Sequence, residues 1–151
     1  MLEFVRRFAV TDARIIICQG LLDYRGEIRK LGVHGFQWFD GSFVEDVEKF
    51  RPKRPQPEDI DVVTFADFPD LSDPQLVALQ DTAKGTMHVD GYYVSTVAQG
   101  SWIVEMTAYW FGLFGHRRGD GLWKGMVQVD LGTDDNDAVR HLQSVQSSAS
   151  S

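Results

Sequence analysis

The chain has 151 residues, of which 43% are hydrophobic and 25% are charged, and its formal net charge is −7. A chain of this length fits one domain and can bury most of the apolar surface that its unfolded form exposes. The negative charge argues against a general nucleic-acid-binding protein, which needs a basic surface. The single cysteine, Cys18, excludes an internal disulfide and a cysteine-rich zinc site.

No stretch of the sequence reaches the roughly 18 consecutive apolar residues that a membrane-spanning helix needs. The N-terminus places an acidic residue before its basic ones, which is the wrong order for a secretory signal. We therefore predict a cytoplasmic protein without membrane partners. Two basic clusters interrupt the acidic background, and we interpret both as solvated loops. They are Lys49, Arg51, Lys53 and Arg54 in the first and His116, Arg117 and Arg118 in the second.

The predicted elements begin with a helix over residues 12–31, in which apolar residues recur at steps of three and four. Thr11 or Asp12 can cap its start, and Gly32 suits its end. Residues 33–39 then predict a strand with its aromatic side chains on one face.

A loop, a strand and a helix are predicted next. Residues 45–58 hold three of the five prolines and many charges, which indicates a loop. Residues 59–65 are rich in β-branched and aromatic side chains and predict a second strand. A helix should run from Pro74, which suits a first helical position, to about Lys84, and Gly85 should end it.

The C-terminal half predicts a strand over residues 87–94, an aromatic helix over 99–114 and a last strand over 123–131. Residues 134–151 are acidic and then serine-rich, which predicts a flexible tail after a single domain spanning 1–133. This order of elements predicts an α/β (α+β) fold, with helices packed on one mixed β-sheet.

Two short motifs indicate a metal-dependent active site. Gly41 and Ser42 directly follow a strand, where glycine lets the backbone approach a ligand. A short helix starting at Phe43 would add unpaired amides that attract an anion. Asp59 and Asp61 lie two residues apart on a strand, so both carboxylates point to one face. Because like charges on one face repel, we expect a cation to neutralise them.

Asp90 supplies a third carboxylate in mid-strand, with His88 on the same face. An unpaired buried charge is costly, and oxygen ligands suit magnesium or manganese better than zinc. Two simpler interpretations stay open. The second strand could begin at Ile60, which would leave Asp59 as a loop residue, and His88 could be a core histidine.

Four segments extend this pattern: Trp38-Phe39-Asp40-Gly41-Ser42-Phe43-Val44, Pro57-Glu58-Asp59-Ile60-Asp61-Val62-Val63, Phe114-Gly115-His116 and Lys124-Gly125. The order of these motifs resembles that of the polymerase-β-like nucleotidyltransferase superfamily. In that order, Gly-Ser follows one strand, Asp-hydrophobic-Asp lies on the next strand, and a third Asp lies on a later one. Over roughly residues 15–131 the chain more closely resembles a family of small uncharacterised bacterial proteins assigned to that superfamily.

The resemblance implies a role for each motif. Gly41 and Ser42 would hold the triphosphate of a nucleotide. Asp59 and Asp61 would bind two magnesium or manganese ions, and Asp90 would hold the metal that activates the hydroxyl of an acceptor.

Other residues are weaker candidates. Lys124, Arg117 and Arg118 could contact the phosphates. Seventeen positions separate Ser42 from Asp59, a longer spacing than in minimal members of the superfamily. That loop could cover the nucleotide, bind an acceptor or mark an inactive site. The aromatic helix offers stacking for a base, although core packing is its ordinary explanation; its aromatic residues include Trp102, Tyr109, Trp110 and Phe111.

Three functions compete at this point. The first is an enzyme that transfers a nucleoside monophosphate from a nucleoside triphosphate such as ATP to RNA, protein or a small molecule. The resemblance implies a toxin–antitoxin or phage-defence setting for it, with a partner protein from the same operon. The second is a non-catalytic nucleotidyltransferase-like binding or antitoxin module. The third is a metal-dependent nuclease or sugar-transferring enzyme, which would leave Gly41 and Ser42 without a role.

Overall fold

The computed structural model describes residues 1–50 and 56–149. These residues form six α-helices, a 3-10 helix and a four-stranded sheet. The α-helices are α1 (Leu2–Phe8), α2 (Asp12–Lys30), α3 (Val47–Phe50), α4 (Pro74–Met87), α5 (Gly100–Phe114) and α6 (Asn136–Ala149). The strands are β1 (Gly35–Asp40), β2 (Ile60–Ala66), β3 (Val89–Ser95) and β4 (Val127–Asp130). The predicted α+β fold is confirmed.

The sheet is mixed, with the strand order β3-β2-β1-β4. Strand β1 runs antiparallel to β2 and β4, whereas β2 and β3 are parallel. One face packs on α1, α2, α4 and α6 in the larger core, which includes Phe39 and Val62. The other face packs on α5, where Trp110 and Phe114 join Val63 in a smaller core. Helix α5 therefore covers the face that carries the odd-numbered residues of β2, Asp61 among them.

Helix α2 starts where the sequence predicts, because the side chain of Thr11 accepts a hydrogen bond from the backbone amide of Arg14. The helix rests on β3 at a glycine. A Cβ atom on Gly91 would lie 2.5 Å from the hydroxyl oxygen of Tyr24, so any larger residue would displace the buried Tyr24 side chain. Helix α2 therefore packs closely on β3 next to Asp90.

Helix α4 is longer than predicted. It continues through Gly85 to Met87 and ends at His88, which has a left-handed backbone with φ 57°. An interior glycine costs a helix only about 1 kcal/mol, so Gly85 does not stop it. The prediction that His88 shares a strand face with Asp90 is therefore wrong. Its Nδ1 lies instead 3.3 Å from the carbonyl oxygen of Glu58.

The structure also differs from the predicted bounds of one loop and one strand. Helix α3 interrupts the predicted 45–58 loop, and residues 51–55 of that loop lie outside the described residues. In the first basic cluster, the described Lys49 pairs with Asp46 at 2.6 Å, and both side chains are exposed. The last strand is shorter than the predicted 123–131, because Trp123 forms only an isolated bridge with His116.

Residues 136–149 form helix α6 and not the predicted flexible tail. Ala138 and Leu142 are fully buried, and Val145 packs against the same core. These residues follow the spacing of one helix face. The prediction of a flexible tail rested on the serine-rich composition and overlooked this spacing. Burial of that face against α1 and α2 offsets the entropy that the segment loses on ordering.

A buried ion network ties the start of α6 to the sheet. The Arg25 guanidinium is fully buried and donates to Asp135 at 2.8 Å and to the Gln37 side chain at 2.8 Å. Arg29 also donates to Asp135 at 2.8 Å. Asp135 is itself buried, so it neutralises Arg25 where water cannot, and it also pairs with the partly exposed Arg29.

We expect Asp135→Asn to lower the free energy of unfolding by about 3 kcal/mol, because it leaves the buried Arg25 without a negative partner. The matched control is Asp137→Asn, whose exposed pair with Arg140 should contribute less than about 0.5 kcal/mol. Urea unfolding of both variants checks this. Equal losses in the two variants would contradict a structural role for the buried network.

Candidate active site

Three aspartates lie side by side across the sheet. Asp40 of β1 is directly opposite Asp61 of β2, which is directly opposite Asp90 of β3. Residues paired in this way point to the same face and lie about 5 Å apart at Cα. Three like charges in a row destabilise a sheet unless cations lie among them. We call Asp40, Asp61 and Asp90 the aspartate row.

Asp59 lies just before β2, which begins at Ile60, so the simpler prediction of the strand boundary is confirmed. Its carboxylate nevertheless reaches the row. The Lys84 ammonium lies 3.2 Å from Oδ2 of Asp59 and 2.7 Å from Oδ2 of Asp90. The predicted residues Asp59, Asp61 and Asp90 therefore meet around one space.

The turn after β1 packs against Asp61, the middle residue of the row. Gly41 has φ 82° and ψ −166°, a conformation open essentially to glycine alone. A Cβ atom there would overlap Oδ2 of Asp61 and lie 3.1 Å from its Cγ. Ser42 then begins a 3-10 helix of three residues instead of the expected helix from Phe43. So short a helix has little dipole, and an anion here would depend on single amides, the Ser42 hydroxyl and nearby cations.

Arg14 from helix α2 holds this turn in place. It is almost fully buried and donates to the carbonyl oxygens of Phe43 and Glu45, both at 2.6 Å. Its Nε also donates to Glu48 at 2.5 Å. The guanidinium satisfies backbone groups that the short 3-10 helix leaves unpaired, so the turn after Gly41 has a defined shape.

Lys124 enters the site from the segment between α5 and β4. Its ammonium lies 2.9 Å from Asp40, 3.6 Å from Glu45 and 3.4 Å from the carbonyl oxygen of Gly41. Its side chain is only 14% exposed. The predicted phosphate-contacting lysine is therefore beside the Gly41 turn and is held by carboxylates.

The row carries unfavourable negative charge. Burial raises the pKa of Asp40 to about 6, although Lys124 opposes that shift. Burial also raises the pKa of Asp61, and the neighbouring charges of Asp59 and Asp90 raise it further. No described residue forms an ion pair with Asp61. The middle carboxylate of the row is thus the least neutralised.

These groups line a cavity of about 330 Å³. Among the described residues that line it, the acids are Asp40, Glu45, Glu58, Asp59, Asp61 and Asp90, and the lysines and arginines are Lys84, Arg118 and Lys124. The acids outnumber these cations by two to one, so the cavity favours additional cations and disfavours a bare anion.

The donor set fits magnesium or manganese, because it consists of carboxylate oxygens. Oδ1 of Asp40 is buried and has no hydrogen-bond partner among the described residues, as expected of an oxygen with a ligand still to bind. In the described part of the chain, no three His, Cys, Asp or Glu side chains already converge on a metal position. Lys84 and Lys124 hold the outer carboxylates in the arrangement present here.

The aromatic helix serves the core only in part, through Trp110 and the partly buried Trp102. Trp110 is buried against Tyr92, with ring centroids 4.6 Å apart, and also lines the cavity. Tyr109 and Phe111 are exposed, so core packing does not account for them.

The second basic cluster lies in the loop after α5. Arg117 pairs with Asp120, whereas His116 and Arg118 line the cavity.

Sequence reasoning missed Asp40, Lys84 and Arg14. The signal for Asp40 was present, because it continues the alternation of Phe36 and Trp38 on the face that β1 turns towards α5. Lys84 and Arg14 contact residues on other elements of the fold, and only tertiary packing brings these residues together. Their spacing in the sequence therefore does not predict the contacts.

Comparison with curated proteins finds no match, and comparison with solved structures finds none either. Among the described residues, no helix has the length and apolar character needed to cross a membrane. One protein family matches over residues 1–130, which include all four strands and the whole aspartate row. The chain belongs to this family, DUF6932, which is described as a family of unknown function.

Proposed function

We propose that this protein is a metal-dependent nucleotidyltransferase, which transfers a nucleoside monophosphate from a nucleoside triphosphate to the hydroxyl of an RNA, protein or small molecule. One observation carries the proposal: the Gly41 turn packs directly on Asp61, the middle member of a row of three aspartates. A turn that can hold phosphates and carboxylates that can hold cations thus share one cavity.

The two ends of the row suit different substrates. Gly41, Ser42 and Lys124 lie at the β1 end, where hydroxyl, amide and ammonium groups can donate to a triphosphate. Asp90 lies at the β3 end, where its carboxylate can orient an acceptor hydroxyl and favour loss of its proton. This arrangement would place the acceptor oxygen and the pyrophosphate leaving group on opposite sides of the α-phosphorus.

Asp59, Asp61 and Asp90 would hold the magnesium ions, with Asp40 as a further oxygen donor at the β1 end. When bound, two divalent cations would neutralise charge on the attacking and leaving oxygens of the displacement. In the reaction, the acceptor oxygen bonds to the α-phosphorus, the bond to the pyrophosphate oxygen breaks, and the hydroxyl proton is released. The acidic cavity makes nucleotide binding dependent on these cations.

A non-catalytic nucleotide-binding or antitoxin-like module is the second candidate function. The ion pairs of Lys84 with Asp90 and of Lys124 with Asp40 favour it, because two ammonium groups already neutralise both ends of the row. In that function the lysines would replace the metals permanently. The nucleotidyltransferase proposal retains the cytoplasmic setting expected from the sequence and the partner protein from the same operon that the resemblance implies.

Calorimetric titration with each nucleoside triphosphate, with and without magnesium, tests the proposal together with a transfer assay. We expect binding only with magnesium, and transfer of label from an α-labelled nucleotide with release of pyrophosphate. A γ-labelled nucleotide is the control, because its label should leave with pyrophosphate. Nucleotide binding that needs no magnesium and gives no transfer would favour the non-catalytic module, and absence of nucleotide binding would contradict the nucleotidyltransferase.

A further inference from the structure

The two lysines at the aspartate row are held very differently. Lys124 is 14% exposed and contacts Asp40, Glu45 and the Gly41 carbonyl oxygen, so it is fixed within the wall of the cavity. Lys84 is 59% exposed and contacts only carboxylates in the described part of the chain, those of Asp59 and Asp90. One end of the row therefore has a fixed cation and the other end has a cation that solvent can reach.

From this difference we infer that Lys84 is an internal counter-cation that competes with divalent metal for Asp59 and Asp90. The inference rests on the proposed function for the identity of the ligand, a divalent metal ion. Metal enters the row at the β3 end, and the Lys84 ammonium leaves the carboxylates when it does. Lys84 thereby sets the metal concentration at which the site fills.

The position of Lys84 makes this exchange possible. It lies in the last turn of α4, where a cation is favoured by the helix dipole whether or not it also contacts a carboxylate. Helix α4 packs on β3, so the side chain has a short path to Asp90. Exposed ion pairs contribute little, and a divalent ion gains far more from the same carboxylates. Displacement of the ammonium is accordingly favourable.

The unpaired oxygen of Asp40 provides a second indication of a ligand. Asp40 is 3% exposed, and its Oδ1 has no hydrogen-bond partner among the described residues although the side chain lines the cavity. Lys124 satisfies the other oxygen. The outer carboxylates of the row thus have counter-charges, but Oδ1 of Asp40 still lacks a partner. A bound cation would supply one.

Direct measurement of manganese binding by electron paramagnetic resonance tests the inference without reference to activity. We expect Lys84→Met to bind Mn²⁺ roughly tenfold more tightly than the unmodified protein, because one competing charge is removed. Lys30→Met is the matched control, since Lys30 pairs with Glu27 on the exposed surface of α2 and should leave the affinity unchanged. Unchanged or weaker binding by Lys84→Met overturns the inference.

Thermal unfolding adds a readout that a merely structural ion pair would not give. Without metal, Lys84→Met should melt at a lower temperature, because Asp59 and Asp90 lose their counter-charge. At saturating Mn²⁺ the difference should vanish or reverse, since metal replaces the ammonium. An equal loss with and without Mn²⁺ would make Lys84 a structural partner only and overturn the inference.

The outcomes also separate this inference from the proposed function. Equal Mn²⁺ affinity in both proteins overturns the role of Lys84 and leaves the metal site standing. Mn²⁺ binding by Lys84→Met alone supports the role of Lys84 and contradicts catalysis by the unmodified protein. Absence of binding in both overturns the inference and the metal-dependent function together.

Discussion

Replacing Asp61 with asparagine is expected to stabilise the metal-free protein and to abolish the magnesium-dependent nucleotide binding that the proposed function requires. Asparagine keeps the shape of the side chain but removes a charge that lies between Asp40 and Asp90 and has no ion-pair partner among the described residues. We expect the free energy of unfolding to rise by roughly 0.5–2 kcal/mol. A neutral amide is a poor ligand for a hard cation, so transfer should fall by roughly 100-fold or more.

The stabilisation should depend on pH in a defined direction. Burial and the charges of Asp59 and Asp90 raise the pKa of Asp61 above its unfolded value, so the native protein binds this proton more tightly. The ionised carboxylate therefore destabilises the fold at neutral pH, and this cost disappears as pH falls below the unfolded pKa of about 4. The advantage of Asp61→Asn should be largest near pH 8 and should shrink towards pH 4.

Thermal melts of Asp61→Asn and the unmodified protein, each with and without magnesium and ATP, measure both effects. Asp137→Asn removes one charge from an exposed site and controls for the change in net charge. If the variant keeps the ligand-dependent rise in melting temperature, Asp61 is not a metal ligand. If the variant is less stable without ligand, Asp61 is a structural acid and the proposed function loses its main support.

The parts of this site that the sequence predicts are those fixed by strand periodicity. Residues on one strand alternate between faces, so Asp61 points away from the face of its neighbours Ile60 and Val62. Pairing between strands does not follow from periodicity. That Asp61 lies opposite both Asp40 and Asp90 depends on the register of β1 and β3 against β2, which tertiary packing determines.

Local composition was a poor guide where tertiary packing decides the structure. Gly85 is an ordinary stop signal, but α4 continues past it because its last turn packs on the rest of the fold and His88 can adopt the left-handed conformation. The serine-rich composition of the C-terminus predicts disorder, yet Ala138 and Leu142 give this segment a buried face. In both segments the spacing of a few apolar residues outweighs the propensity of their neighbours.

We expect Gly41→Ala to impair both the fold and the site, because one backbone position determines both. The φ of 82° with ψ near −166° costs any residue with a Cβ atom of order 1–3 kcal/mol. The added methyl group would also overlap the carboxylate of Asp61, which must then move. We predict a loss of roughly 2–4 kcal/mol in the free energy of unfolding, with loss of the magnesium- and nucleotide-dependent stabilisation.

Gly26→Ala is the matched control. Gly26 lies inside helix α2, and apart from its chain neighbours and the nearby helix backbone no described atom lies within 4 Å of the Cβ that the substitution adds. Alanine is the better helix former, so this variant should gain about 0.5–1 kcal/mol and keep ligand binding. Urea unfolding and calorimetric titration on the two variants measure the contrast. A Gly41→Ala protein as stable as Gly26→Ala would contradict the strained turn.

A double-mutant cycle separates the backbone strain at Gly41 from its contact with Asp61. Asp61→Ala removes the carboxylate that the new methyl group would meet, while the unfavourable φ at position 41 is unchanged. Gly41→Ala should therefore cost roughly 1 kcal/mol less in the Asp61→Ala background than in the unmodified protein. Additive losses would mean that the turn does not press on the carboxylate. The direct link between the Gly41 turn and the aspartate row, on which the proposed function depends, would then be removed.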